Sequence, residues 1–287
     1  MRAATRGSAL ARWQTDWVLS QLGGGSVVVV STTGDQRQDV PIHEIGGQGV
    51  FVKEVQAAVL AGEADIAVHS AKDLTSLPTP GLTIAAFPAR ADARDALVGC
   101  SLASLPAGGH VATGSVRRRA QLASLRPDLV FSDLRGNIDT RLAKASSFDA
   151  VVMAAAALER LGRMDRVAEL LDPSVLLPQV AQGALAVECR TDDIATKALL
   201  GVIDHAPTRL AVTAERAFLA ELGGGCDLPV GAYAVPYGGI ISLTGLLASL
   251  DGRVVLRETR TGDDPALLGA EVARYLLDDA GGAEVLQ

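Results

Sequence analysis

The sequence predicts an α/β protein followed by a smaller α+β segment, because the spacing of its apolar residues changes along the chain. Over the first two-thirds, short β-branched runs alternate with helical segments. The predicted strands lie at 27–30, 66–69, 111–113, 129–132 and 150–153, and the predicted helices at 51–61, 117–125 and 138–145. After about residue 204 come a helix over 208–222, apolar runs at 229–235, 240–250 and 253–260, and a last helix. That order is typical of an antiparallel sheet packed against helices.

Polar, turn-rich connections near 88–94 and 178–183 divide the chain into domains. They are expected where a chain leaves one α/β domain, builds a second and returns. The predicted domains are 1–90 with 179–203, then 91–178, then 204–287. Two crossings between the first two domains would form a natural hinge.

The composition argues against several classes of protein. A net charge of −7, a pI near 5.1 and an aromatic content of 3% disfavour a nucleic-acid binder, which usually has a basic surface and stacking aromatics. The longest wholly apolar run, 150–158, is too short to span a bilayer, and the N-terminus lacks the apolar core of a signal peptide. We therefore expect a cytoplasmic protein with no membrane segment.

Cysteines and histidines show no metal-binding or disulfide pattern. They are Cys100, Cys189 and Cys226, with His43, His69, His110 and His205. Their spacing matches neither a CxxC motif nor a zinc site. The sequence therefore predicts no metal.

Residues 111–144 are rich in arginine within an otherwise acidic chain. The arginines there are Arg117, Arg118, Arg119, Arg126, Arg135 and Arg141. Guanidinium groups bind carboxylate or phosphate through paired N–H donors, and a helix that begins near Ser115 would add the free N–H groups of its first turn. A solvated basic helix face is the alternative for a charge run taken alone. The preceding TGS and the following DLRGNIDTRL favour an anion site.

The segment 31–49, STTGDQRQDVPIHEIGGQG, is a long polar connection without periodicity. Such loops are usually functional or disordered. Its GGQG has neither the spacing of a P-loop nor the context of a dinucleotide-binding motif, so a mobile lid is the better interpretation.

Six motifs in this order resemble the porphobilinogen deaminase family, whose members are also called hydroxymethylbilane synthases. They are ATRGSALARWQ near the N-terminus, DIAVHSAKD at 65–73, VATGSVRRRAQL, DLRGNIDTRL, PQVAQGALAVECR at 178–190 and LGGGCDLPVGAYA at 222–234. The resemblance covers essentially the whole chain. It implies two α/β domains like those of periplasmic binding proteins, facing each other across a cleft, and a small third domain with an antiparallel sheet.

The resemblance also implies an activity. Members join four porphobilinogen units head to tail, release ammonia at each step and free the linear tetrapyrrole hydroxymethylbilane. The chain grows on a covalent dipyrromethane cofactor, which a thioether would attach to Cys226. The implied enzyme is a monomer that passes its product to a uroporphyrinogen-III synthase.

Site residues follow from the matching motif positions. The implied catalytic residue is Asp73, which also contacts the cofactor. The other implied cofactor contacts are Lys72, Thr113, Ser115, Arg117 and Arg118, and the implied substrate contacts are Arg6, Ser8, Arg135, Arg141 and Arg160. Arg119 and Arg126 lack such support. Asp73 could stabilise an azafulvene cation by its charge or transfer protons, and the sequence does not separate these roles.

Each motif also has a plain structural interpretation when it is taken singly. Asp73 could cap a turn, Lys72 could be solvated, and Cys226 could be a small buried hydrophobe. The chain also departs from the family pattern at Gln48, Ala71, Gly114 and Ala181. Two rival functions are an anion-binding module without chemistry, which leaves Cys226 and Asp73 unexplained, and a phosphate-ester enzyme, which lacks metal and P-loop signatures.

Overall fold

The computed structural model describes residues 1–32, 49, 51–224 and 228–286. The chain divides into two compact units. Unit 1 comprises Met1–Ala91 and Gly183–Arg209, and unit 2 comprises Asp92–Gln182 and Leu210–Gln287.

Strands and helices alternate through most of the chain. The strands are β1 (Arg2–Arg6), β2 (Ser26–Val30), β3 (Ile66–Ser70), β4 (Leu82–Ala86), β5 (Asp95–Gly99), β6 (His110–Ala112), β7 (Val130–Ser132), β8 (Ala150–Ala154), β9 (Val167–Leu171), β10 (Leu185–Arg190), β11 (Val230–Tyr237), β12 (Ile240–Ala248) and β13 (Val255–Gly262). The helices are α1 (Ala9–Gln21), α2 (Lys53–Leu60), α3 (Val116–Leu125), α4 (Ile138–Lys144), α5 (Ala155–Arg160), α6 (Ile194–Leu200), α7 (Ala206–Glu221), α8 (Pro265–Arg274) and α9 (Gly282–Val285), with a π-helical turn at Tyr275–Asp279.

Unit 1 is built on a five-stranded sheet in the order β2-β1-β3-β10-β4. The strand β1 runs parallel to β2 and β3, while β10 runs antiparallel to β3 and β4. Because side chains alternate along a strand, Ile66 and Val68 of β3 pack in the core cluster of α1, and Ala67 packs in the cluster of α2. Both faces of the sheet are therefore covered.

Unit 2 repeats this plan in a five-stranded sheet of order β7-β6-β8-β5-β9. Here β6 is parallel to β7 and β8, and β5 is antiparallel to β8 and β9. In each sheet the antiparallel strand in the fourth position follows a crossing between units, β5 after residue 92 and β10 after residue 182.

A three-stranded antiparallel sheet, β11-β12-β13, completes unit 2. Tyr233, Leu246 and Val255 of this sheet pack in one cluster with Ala120 of α3 and Leu177. Because of this packing, the three-stranded sheet belongs to the same compact unit as the second five-stranded sheet. The predicted α/β and antiparallel sheets are confirmed, whereas the division into three domains and the cleft stay predictions.

A buried carboxylate holds several parts of unit 2 together. Asp95 begins β5 and is fully buried. Its oxygens lie 2.7 Å from Nη2 of Arg117 and 2.6 Å from Nη2 of Arg118, and Gln182 Nε2 donates to it at 2.9 Å. Burial alone would raise the pKa of Asp95, but the two guanidinium charges outweigh it and lower the pKa to about 2.

We predict that replacing Asp95 with Asn destabilises the fold by about 3–5 kcal/mol at neutral pH, because two buried guanidiniums lose their counter-charge. The folded pKa lies below the ordinary 3.8, so the stabilisation is present above about pH 4 and is lost as the pH falls towards 2. Urea unfolding of both proteins at pH 7 and pH 3 should show the difference shrinking in acid.

Asp92→Asn is the matched control, since Asp92 pairs with Arg94 in a partly exposed bridge and should cost about 1 kcal/mol or less. Equal losses for the two variants, or a loss at Asp95 that does not change with pH, would contradict this account.

Candidate functional site

The topology of unit 1 places a crevice at the carboxyl ends of β1 and β3. The strand β1 lies between β2 and β3, and α1 and α2 cover opposite faces of the sheet. Ligands bind at such switch points because the two connections diverge there. A pocket lies at this place, lined by Thr5, Arg6, Ser8, Leu10, Ala11, Gln14, Phe51, Val52, Val55, Val68, His69, Ser70 and Asp73.

Asp73 reaches this pocket from a short turn after β3. The turn, Ala71–Asp73, is a single 3-10 turn that begins with buried Ala71, whose N–H donates to the Ala184 carbonyl at 3.0 Å. Asp73 is half-buried, and no residue in the described part of the chain forms a hydrogen bond or ion pair with its carboxylate. It therefore does not cap a helix or turn there. Lys72, one residue earlier, is also half-buried.

Arg6 and Ser8 border the same pocket from the end of β1. The Arg6 guanidinium carbon lies 4.2 Å from the centre of the Phe51 ring in a cation–π contact. Ser8 is the N-cap of α1, and its Oγ accepts a hydrogen bond from the Ala11 N–H at 3.3 Å. Three residues predicted separately, Arg6, Ser8 and Asp73, therefore share one pocket.

Sequence reasoning missed Gln14, which lines the pocket and is buried on α1. Its amide donates to the Ser70 hydroxyl at 2.9 Å, directly before the turn that carries Asp73. A buried polar residue on a helix would have been the signal, since such groups need a specific partner.

In unit 2, Thr113 and Ser115 occupy the equivalent edge, after β6, which lies between β7 and β8. The Thr113 hydroxyl accepts from the Ser115 N–H at 3.2 Å, and Ser115 caps α3 by accepting from the Arg118 N–H at 3.5 Å. No acidic residue lies in the first turn of α3. The free N–H groups of that turn and the helix dipole favour an anion.

Arg117 and Arg118 are buried rather than displayed on a surface. Besides Asp95, Arg117 donates to the Leu177 carbonyl and Arg118 to the Val152 carbonyl. Burial lowers the pKa of Arg117, and its Nε has no hydrogen-bond partner among the described residues. The contacts seen for these two guanidiniums are therefore with groups of the chain itself, and ligand binding by them stays a prediction.

The remaining arginines differ in their surroundings. Arg135 is half-buried and has no ion-pair partner among the described residues, while the Arg141 Nε donates to the Gly136 carbonyl at 2.8 Å. Burial lowers the pKa of Arg160 to about 10, so an anion beside it would be stabilising. Arg126 is held by Asp128 through two bonds of 2.7 Å, and Arg119 is exposed.

Two predicted features, Cys226 and most of the segment 31–49 with Gln48, lie outside the described residues. The other cysteines are within them. Cys189 is buried in β10, where burial raises the pKa of its thiol, and Cys100 packs against a core cluster. Cys189 is therefore a poor nucleophile, since the thiolate is the reactive form.

The described residues include no cluster of side chains that could hold a metal ion. Among those same residues, no helix is long and apolar enough to cross a bilayer.

Each edge, taken by itself, offers groups that bind carboxylates: Arg6 and Ser8 in unit 1, and Thr113, Ser115 and the free N–H groups of the first turn of α3 in unit 2. Arg160 of unit 2 adds a cation whose pKa is lowered by burial. A dipyrromethane with acetate and propionate arms has matching chemistry, because charge-assisted bonds to carboxylates are among the strongest available to such groups.

Comparison with known proteins agrees with this chemistry. Residues 1–198 match the family model "Porphobilinogen deaminase, dipyromethane cofactor binding domain", and residues 209–278 match "Porphobilinogen deaminase, C-terminal domain". Porphobilinogen deaminase of Roseiflexus castenholzii is 50% identical, with 98% of this chain and 97% of that protein covered. The protein of that name from Acidothermus cellulolyticus is 48% identical, with 100% and 91% covered.

Similarity to solved structures is weak. For a TRAP periplasmic solute binding protein from Desulfovibrio salexigens, the match covers 71% of this chain and 72% of that protein, with a TM-score of 0.39 and 11% identity, which supports no argument.

Both family models and the full-length relatives show that the chain belongs to the porphobilinogen deaminase family. Members are transferases of tetrapyrrole biosynthesis that polymerise porphobilinogen on a dipyrromethane cofactor.

Proposed function

We propose that the pocket at the carboxyl edge of the unit 1 sheet is where porphobilinogen units are joined, with Asp73 as the catalytic residue. The observation that carries this proposal is a half-buried carboxylate that lines a pocket and has no partner among the described residues. Such an acceptor is available to a ligand without breaking a contact of the fold. The bound dipyrromethane supplies the free ring carbon on which the chain grows.

Asp73 acts on the positive charge that develops when ammonia leaves the substrate. Departure of the amine leaves an azafulvene cation, whose charge spreads to the pyrrole nitrogen. A fixed carboxylate stabilises that cation more than the neutral ring, so it lowers the barrier rather than only binding the substrate. The Ala71–Ala184 hydrogen bond keeps the turn in place, so little reorganisation is needed.

The substrate and the cofactor are held through their carboxylates. Their proposed partners at the unit 1 edge are Arg6, Ser8 and Lys72, and those at the unit 2 edge are Thr113, Ser115, Arg117, Arg118, Arg135, Arg141 and Arg160. For Arg117 and Arg118 the support is the family motif together with the N–H groups that Asp95 leaves over, among them Nε of Arg117. Arg119 and Arg126 have no role in this scheme.

Cys226 forms the thioether to the dipyrromethane. The support is the GGC motif together with the surroundings of the other two cysteines, one buried and one packed against a core cluster.

We also propose that the protein is a cytoplasmic monomer that passes its product to a uroporphyrinogen-III synthase. Size-exclusion chromatography and a coupled assay with that enzyme test the last two points.

The cofactor assignment predicts a covalent adduct on Cys226 alone. Intact mass should exceed the sequence mass by one dipyrromethane, and peptide mapping should place the addition at Cys226. Cys226→Ser should lose both the adduct and the turnover, whereas Cys100→Ser and Cys189→Ser should keep them. An adduct on another cysteine, or an unmodified protein with full activity, would refute the assignment.

Charge catalysis at Asp73 predicts an order among its variants. Asp73→Asn keeps the shape but has no charge, so turnover should fall by about 10²-fold or more. Asp73→Glu keeps a misplaced charge and should retain more activity than Asn. Melting temperatures of both should stay near that of the wild type, since the described residues include no partner for Asp73. Near-normal turnover of the Asn variant would remove Asp73 from the mechanism.

We predict that replacing either buried arginine, Arg117 or Arg118, lowers both the folding stability and the cofactor content. Replacing Arg117 or Arg118 with Leu should cost about 3–5 kcal/mol of folding stability, because each removes counter-charge from buried Asp95. The adduct measured by mass should also decrease. Exposed Arg119→Leu is the control, with a change within about 0.5 kcal/mol. If Arg117→Leu and Arg118→Leu both kept their full cofactor content, the proposal that these two arginines bind the cofactor would be refuted.

A further inference from the structure

A buried glutamine joins α1 to the turn that carries Asp73. Gln14 is only 3% exposed and lines the pocket of unit 1. Its Nε2 lies 2.9 Å and its Oε1 3.2 Å from the Ser70 Oγ. Since a hydroxyl can accept from an amide nitrogen and donate to an amide oxygen, the contact is kept whichever way round the amide lies. The mechanism above does not use this pair.

The hydroxyl of Ser70 is committed to this contact. Ser70 ends β3 and directly precedes the turn Ala71–Asp73. A serine at such a position often caps the turn with its own oxygen, but here it makes no side-chain cap bond. Among the residues that the structure describes, the Gln14 amide and the Ser70 hydroxyl have each other as their hydrogen-bond partners. The pair is therefore a connection between two elements rather than part of a larger network.

Two bonds hold the turn, one on each side. The Ala71 N–H donates to the Ala184 carbonyl at 3.0 Å, which fixes the backbone towards β10. The Ser70 hydroxyl, through Gln14, fixes it towards α1. The Asp73 carboxylate has no bond of its own to a described residue. Its position is therefore set by the backbone of the turn, and so by these two anchors.

Helix α1 also carries the opposite side of the pocket. Ser8 caps its first turn, and Arg6 ends the strand that leads into it. These are two of the residues proposed above to hold substrate carboxylates. Through Gln14 the same helix reaches the turn of Asp73. The helix thus sets the separation between the groups that hold the substrate and the carboxylate that acts on it.

We propose that Gln14 is a positioning residue for the joining reaction, which through the Ser70 hydroxyl holds Asp73 at its working distance from Arg6 and Ser8. This inference rests on the function proposed for the pocket. A porphobilinogen held by its carboxylates presents its aminomethyl carbon at one point. A displaced Asp73 then loses charge stabilisation there while binding is kept, and a misplacement of about 1 Å can cost about 10²-fold in rate.

Replacing Gln14 with Met tests this role, because Met has similar length and volume but no amide. The kcat should fall by about 10- to 100-fold, while KM for porphobilinogen stays within about threefold because Arg6 and Ser8 are unchanged. Turnover is expressed per Cys226 adduct, measured by intact mass after loading with hydroxymethylbilane. Ser70→Ala should give the same result, and Ser70→Thr, which keeps the hydroxyl, should retain more activity than Ser70→Ala.

The decisive measurement places Gln14→Met in the Asp73→Asn background. If the glutamine acts through the Asp73 charge, its loss should lower kcat there by less than about twofold, since no charge remains to be positioned. A general defect of the fold would instead multiply with the Asp73 loss, and multiplying losses refute the role. Gln21→Met is the matched control, since exposed Gln21 lies at the end of the same helix and bonds to Ser20; it should leave turnover unchanged.

Two other outcomes would overturn the proposal. One is a wild-type kcat in Gln14→Met, and the other is a raised KM with kcat unchanged, which would make the glutamine a binding group. If Gln14→Met does not fold, Ser70→Ala measured in the wild-type and Asp73→Asn backgrounds decides by the same criteria. Failure of the pocket assignment would appear separately, as normal turnover of Asp73→Asn alone.

Discussion

The negative charge of Asp95 is closed off from solvent, and side chains from distant parts of unit 2 are oriented around it. Arg117 and Arg118 approach from the first turn of α3, and Gln182 approaches from the end of the segment before the return crossing. A buried charge without partners would cost several kcal/mol, so these groups are interdependent. The position of the α3 N-terminus, with its hydroxyls Thr113 and Ser115, depends on that arrangement.

The sequence was enough to find the strands that have β-branched runs, such as β2, β6 and β8, and all three strands of the antiparallel sheet. It missed β1, whose RAATR composition resembles no strand, although parallel neighbours on both sides form it. Strands β5 and β10 also went unpredicted, because their places are set by pairing across the crossings. Such pairing depends on distant residues, which local patterns do not contain.

In the candidate site, too, some features could be predicted from local sequence patterns and others depend on distant residues. Asp73, Arg6 and Ser8 were identified from motifs, and their meeting in one pocket follows from parallel strands ending at one sheet edge. The arginine run was interpreted as an anion site, since nothing local shows that Asp95 pairs with both Arg117 and Arg118. Gln14 was missed because burial of a polar side chain is visible only in three dimensions.

The exchange of strands between the sheets has a consequence for synthesis on the ribosome. Strand β10 separates β3 from β4, yet about a hundred residues are translated between β4 and β10. Until β10 emerges, β3 and β4 each expose unpaired backbone groups on edges that are central in the finished sheet. A nascent chain paused in that interval would be open to pairing with other chains, because the five-stranded sheet of unit 1 is completed only after all strands of the five-stranded sheet of unit 2 have been translated.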